Sequence, residues 1–161
     1  MLPRRALALA TFCLLGTAAA AQDAAPDRSG RELSGQASVY ASNLNGRRMA
    51  DGGIFEPASD TVASNLLPLG TVARVTNLRN GRTAMVRVRD RGAFAEGRVV
   101  NVSPKVAEFL GMNRNGVARV TVTPLAVPQP NGRFRLGEGT GLPGRRAAEP
   151  PATTPRARPA P

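Results

Sequence analysis

The sequence contains no histidine and no tryptophan, and it has one cysteine and one tyrosine. Each shortage removes a class of chemistry. Without imidazole there is no Ser-His or Cys-His nucleophilic dyad. With Cys13 as the single thiol, zinc, copper and haem sites lack their usual donors, and a disulfide framework is excluded. Neither a metal nor any other cofactor is therefore expected. Aromatic residues make up only 4% of the chain, so a core must come mainly from Val, Leu and Ala and will be modest. No apolar run reaches the roughly 20 residues that a membrane-crossing helix requires, so no stable membrane span is expected.

The first residues follow the order of a secretory signal. Arg4 and Arg5 supply charge, Ala6 to Leu15 supply a short apolar stretch, and Ala19, Ala20 and Ala21 supply the small residues before Gln22. The reading is a signal peptide over 1–21, cleaved after Ala21, which removes Cys13 from the mature chain. Cys13 lies inside the apolar stretch behind Phe12, away from the cleavage point, so no lipid anchor is expected. The Arg4-Arg5 pair fits an ordinary signal and leaves twin-arginine export as the alternative.

What the chain has in excess is arginine. The 22 basic residues, of which only Lys105 is lysine, outweigh 11 acidic ones for a net charge of +11. Such a balance favours anionic partners. The arginines are scattered and aromatics are few, which argues against nucleic acid. In an exported protein the anions are cell-wall polymers, lipid headgroups or other envelope acids.

Residues 22–34 are polar and read as a linker. Residues 126–161 are rich in Pro, Gly, Ala and Arg, and are expected to be a disordered tail. The foldable part is 35–125. Thr71–Leu78 and Thr83–Arg89 are β-patterned runs separated by Arg79-Asn80-Gly81-Arg82, and Asn-Gly between two such runs is a strong hairpin signal. Arg98–Val102 and Val117–Thr123 read as further strands. Ser103, Pro104 and Gly111 mark the N-cap, first position and stop of one short helix, with Val106, Phe109 and Leu110 directed to the core. Ala73-Arg-Val-Thr76 returns as Ala118-Arg-Val-Thr121, which fits a barrel of two related halves.

Asp90 is the candidate chemical centre. Strict alternation places it on one face with Ala84, Val86 and Val88, and places Met85, Arg87 and Arg89 on the other. A partly desolvated carboxylate at a strand end suits acid/base work. A structural Asp that pairs with Arg91 or accepts turn N–H groups fits the same position, and both readings stand on the residues alone.

Several motifs then come in one order: Gly35-Gln-Ala-Ser-Val-Tyr40, Asn45-Gly-Arg-Arg48, Leu67-Pro-Leu-Gly-Thr71, Val75-Thr-Asn-Leu78, Asn80-Gly-Arg82, Val88-Arg-Asp-Arg-Gly92, Gly97-Arg-Val-Val-Asn-Val-Ser103 and Leu110-Gly-Met112. Across nearly all of 35–125 the chain resembles the rare lipoprotein A (RlpA) family. The resemblance implies a mainly β fold, a six-stranded double-psi β-barrel with one or two short helices and a likeness to expansins. It also implies a periplasmic lytic transglycosylase that cleaves MurNAc–GlcNAc bonds without water. Asp90 matches the family aspartate and is the expected catalytic residue, with Tyr40, Glu56 and Arg91 as expected substrate-binding residues. The family glutamate, histidine and neighbouring arginine correspond to Gly53, Ser64 and Asn65; the aspartate before Leu-Ser corresponds to Asn101, and the Trp before the tyrosine to Val39. Asp51 and Glu56 are the acids near enough in sequence to substitute, and Tyr40, Phe55 and Phe94 are the main aromatics for sugar stacking.

The favoured expectation is thus an endolytic peptidoglycan transglycosylase, monomeric, with peptidoglycan glycan strands as its partner and division-site proteins as candidate partners. The alternative is a glycan-binding or division-associated barrel that has lost cleavage. A third reading is an envelope adaptor acting through the Arg/Pro tail.

Overall fold

The computed structural model describes residues 25–92, 95, 97–112 and 116–141. Its elements run in chain order as β1 (Leu33–Val39), a 3-10 turn (Ser42–Leu44), β2 (Thr61–Ala63), β3 (Val72–Asn77), β4 (Thr83–Asp90), β5 (Arg98–Val102), α1 (Pro104–Phe109), β6 (Val117–Pro128), β7 (Phe134–Leu136) and a second 3-10 turn (Glu138–Thr140). The strands are ordered β1-β5-β2-β4-β3-β6, and β6 pairs back onto β1, closing a six-stranded barrel. β1 with β5 and β2 with β4 are parallel; the other neighbours are antiparallel. Closure removes the exposed edges that a sheet this small could not otherwise cover. This is the mainly β, six-stranded architecture that the motif order implies.

Alternation builds the interior. On β3 and β4, Ala73, Val75, Ala84, Val86 and Val88 point inward while Thr83, Met85 and Arg87 stay exposed. Val100, Val102, Val120 and Val122 complete a Val-dominated core with Leu67 and Leu110. Each such side chain contributes about 1.5–3 kcal/mol on burial. The strands carrying the two Ala-Arg-Val-Thr segments are adjacent and antiparallel, and the segments themselves meet at one pair, Thr76 facing Thr121. The hairpin turn is as expected: Gly81 takes φ 71° and its N–H donates to Asn77 O at 2.8 Å.

Helix α1 is capped by Ser103, whose Oγ accepts from Val106 N at 3.3 Å, with Pro104 inside the first turn. Val106 and Leu110 are buried, but Phe109 is 59% exposed, contrary to the sequence expectation. At roughly 100° per residue, a stripe centred on Val106, Ala107 and Leu110 leaves position 109 on the rim. The Phe109 ring there meets the Arg82 guanidinium, 5.8 Å from its centroid.

The expected boundaries need two corrections. The folded unit runs past Leu125 to Gly141, since β6 extends to Pro128 and pairs with β7 through Ala126–Leu136, Val127–Arg135 and Pro128–Phe134. The supposed linker is also part of it: Asp27 N donates to Leu66 O, Arg28 Nη1 to Pro128 O, and Glu138 N to Gly30 O. Composition averaged over a long tail hides a local backbone ladder and one fully buried side chain, Val127. The proposed signal peptide with Cys13, and residues 142–161 of the tail, lie outside the described residues. No helix among the described residues is long and apolar enough to cross a membrane.

Candidate functional site

The segment between β1 and β2 forms a second, smaller cluster outside the barrel. Tyr40, Met49, Phe55 and Ala63 are buried together, and the Tyr40 and Phe55 rings stack with centroids 4.4 Å apart. Asp90 lies against this cluster because β4 does not keep strict alternation. Val62 pairs with Val88, but Ala63 pairs with Asp90, so Arg89 is an extra residue in the parallel ladder. Val62 and Val88 face the core, whereas Ala63 faces the outer cluster. The β-bulge re-aims the strand end, and Asp90 leaves the face of Val86 and Val88 that alternation assigned to it.

Three donors hold the Asp90 carboxylate. Oδ1 accepts from Ala50 N at 2.9 Å and from Arg91 N at 2.8 Å, and Oδ2 accepts from the Tyr40 hydroxyl at 3.0 Å. One Oδ2 lone pair has no partner among the described residues. Burial of the phenol, reinforced by the Asp90 charge and hydrogen bond, raises the Tyr40 pKa well above its ordinary value. Tyr40 therefore stays protonated and donates. With its ring only 7% exposed and covered by Phe55, it positions Asp90 and offers little surface for sugar stacking.

The other expected site residues are placed differently. Arg91 Nη1 donates to Ser64 O and to Leu67 O, the latter at 2.8 Å, and ties the loop after β2 to the end of β4. Its burial lowers its pKa; the Asp90 charge opposes this and Arg28 adds to it. Glu56 is exposed, follows the inward-facing Phe55, and its carboxylate has no hydrogen bond or ion pair among the described residues. It is not drawn to Asp90. Ser64 is fully buried, donating to Val99 O and accepting from Leu66 N and Leu67 N, so it caps a turn. Asn65 bridges to Gly92. Asn101 accepts from the Ser38 hydroxyl and lies beside Ala63 on the neighbouring strand. Phe94 lies outside the described residues.

Asp51 is close to Asp90 but committed elsewhere. Its Oδ2 pairs with Arg89 Nε at 2.6 Å, its Oδ1 accepts from Gly53 N at 2.9 Å, and its own N–H donates to Arg89 O at 3.0 Å. Burial pushes the Asp51 pKa up, but the Arg89 hydrogen bond, the Gly53 N–H and the Arg89 charge outweigh it and lower it overall. A carboxylate so held is no proton donor, which removes Asp51 as a substitute acid. Gly53 has no space for a side chain in this arrangement: a Cβ there would lie 2.3 Å from Arg89 Nη2. Sequence reasoning missed Arg89, which it sent to the opposite face, and the backbone N–H of Ala50. The bulge that turns Asp90 away from the Val86 and Val88 face has no sequence signal, since it depends on how β2 and β4 register.

The closed strand order and the carboxylate held at the end of β4 define the class, a double-psi β-barrel with Asp90 outside its core. Residues 32–122 match the family model described as lytic transglycolase, and the chain belongs to that family. It is 47% identical over 88 residues to the probable endolytic peptidoglycan transglycosylase RlpA of Treponema pallidum, covering 55% of this chain and 28% of that protein. It is 41% identical over 96 residues to the endolytic peptidoglycan transglycosylase RlpA of Pasteurella multocida, covering 60% and 33%. The chain thus spans about a third or less of these relatives. Among solved structures it is similar to the Streptomyces papain inhibitor, with TM-score 0.46 and 22% identity, covering 58% of this chain and 94% of that one.

Proposed function

We propose that the chain is a peptidoglycan lytic transglycosylase with Asp90 as its general acid and base. The observation that carries the reading is the held carboxyl itself: Oδ1 fixed by two backbone N–H groups, Oδ2 fixed by Tyr40 and still able to take or give a proton. The acid form of Asp90 protonates the O4 oxygen of GlcNAc as its bond to C1 of MurNAc breaks. The carboxylate then takes the proton of the MurNAc 6-hydroxyl as O6 bonds to C1. The acid form is restored, no water is consumed, and one carboxyl serves both transfers, unlike glycoside hydrolysis with its two carboxylates. Family membership and the RlpA relatives support this chemistry. The wider reading has the protein exported to the periplasm, monomeric, on peptidoglycan glycan strands, with division-site proteins as further partners.

One observation favours a second reading, a barrel that binds glycan without cutting it: among the described residues no other carboxylate shares a hydrogen bond with Asp90, and Asp51 is held ionised. Digestion of purified sacculi, followed by mass analysis for anhydro-MurNAc ends, decides between them. Such ends from the wild type, retained in Glu56→Gln and absent in Asp90→Asn, are expected. Sacculus binding with no such product would replace the first reading with the second.

A further inference from the structure

Arg87 and Arg89, which alternation places on one face of β4, line one cavity. A cavity of about 430 Å3 on the outer side of β4 is lined by Ser59, Asp60, Thr61, Arg87 and Arg89. Arg89 gives Nε to Asp51, and its two terminal nitrogens have no acceptor among the described residues. Arg87 is exposed and its side chain has no hydrogen bond or ion pair among the described residues. Asp60, the acid in the lining, is matched by Lys105 at 3.0 Å, and Asp51 is matched by Arg89. Counting these groups leaves one unmatched positive charge, on Arg87, beside the open fork of Arg89. Planar guanidinium forks suit the two oxygens of a carboxylate. Arg89 precedes Asp90 on β4, and its partner Asp51 follows Ala50, whose N–H holds the Asp90 carboxylate, so the pocket borders the segment that holds the reacting carboxyl.

We propose that this arginine pocket is a carboxylate-binding subsite that takes an acidic group of the glycan strand held at Asp90. The ligand rests on the peptidoglycan reading above, but the binding does not require cleavage. Two sources share the chemistry: the lactyl carboxylate of a muramic acid freed of its peptide, and the carboxylates of a stem peptide.

The test is titration of the full chain, followed by NMR, with four oligosaccharides of equal length: stem-free MurNAc–GlcNAc, the same with its lactyl carboxyls methyl-esterified, a stem-peptide-bearing strand, and a chito-oligosaccharide. A carboxylate-bearing strand is expected to bind about tenfold or more tighter than the ester and the chito-oligosaccharide at low salt. The gap is expected to narrow as salt rises. In Arg87→Gln it should close to about twofold or less, while Arg87→Lys keeps part of it. Tight binding of the stem-free acid names the lactyl group; tight binding of the stem-bearing strand alone names the peptide. Equal affinities across the four ligands, no binding of any, or a gap that survives Arg87→Gln would overturn the subsite. A gap with no anhydro product removes the transglycosylase reading and leaves the subsite standing.

Discussion

The Tyr40 hydroxyl donates to Asp90 Oδ2 across 3.0 Å from a ring that is 7% exposed and stacked on Phe55. The two residues belong to strand ends 50 positions apart in sequence. The bond is made at the rim of the outer cluster, where water competes poorly.

Tyr40→Phe keeps the stacking and deletes only the donor. A hydrogen bond to a charged group contributes about 1.5–3 kcal/mol. If that support acts on the reacting carboxyl, the rate of anhydro-MurNAc formation falls by about 10- to 100-fold with KM nearly unchanged. Urea unfolding in parallel is expected to show a loss of stability of about 1.5–3 kcal/mol. A rate equal to wild type would show that Oδ2 needs no positioning.

The Asp51–Arg89 pair makes a pH prediction with a definite sign. The folded pKa of Asp51 lies below its ordinary value. Its contribution is therefore fully present above the ordinary carboxylate range, about pH 4, and is lost as pH falls through the lower folded value. Both side chains are about a third exposed or less, 33% and 27%, so the pair is partly screened. Asp51→Asn is expected to cost about 0.2–1 kcal/mol at neutral pH. The deficit should shrink towards about pH 2. Urea titrations at both ends of that range check it, and a deficit that grows in acid would contradict the pairing.

These contacts mark where the sequence was legible and where it was not. Strand alternation on β4 and the Asn80-Gly81 turn are local properties, so the hairpin and the Ala84, Val86 and Val88 core face could be read directly. The motif order carried the barrel and Asp90. The side on which Asp90 stands could not be read, because a bulge is a property of two paired strands and neither strand encodes it alone. Glu56 and Arg91 looked available by chemistry, but Phe55 turns Glu56 outward and two carbonyls engage Arg91. The ladder of Ala126–Pro128 with Phe134–Leu136 was hidden by tail composition for the same reason: pairing is not a compositional property.

Helix α1 separates a buried cap from an exposed aromatic. Ser103 is fully buried, and its Oγ accepts from Val106 N and donates to Ser59 O at 2.6 Å. Ser103→Ala is expected to cost about 1–2 kcal/mol. Phe109→Ser removes only a rim contact with Arg82 and should cost less than about 1 kcal/mol. Denaturant midpoints rank the two; the reverse order would return Phe109 to the core.

Gly53 offers a test of the arrangement around Arg89 that needs no substrate. Its φ is not in the left-handed region, so its backbone accepts a side chain. The obstacle is steric: a Cβ would meet Arg89 Nη2 at 2.3 Å and Asp51 Oδ1 at 3.1 Å. Arg89 is flexible enough to swing away, but doing so releases Asp51. Gly53→Ala is therefore expected to destabilise the wild type by up to about 1 kcal/mol, the worth of the pair. In an Arg89→Ala background the clash and the pair are both gone. There the same change restricts only the unfolded chain and should stabilise by about 0.4–1 kcal/mol. The sign reversal across this double-mutant cycle, read from urea unfolding, is what the packing of Arg89 over Gly53 requires. An identical effect in both backgrounds would mean that Arg89 does not cover Gly53 in solution, and would leave Arg89 elsewhere than in the pocket it lines with Arg87.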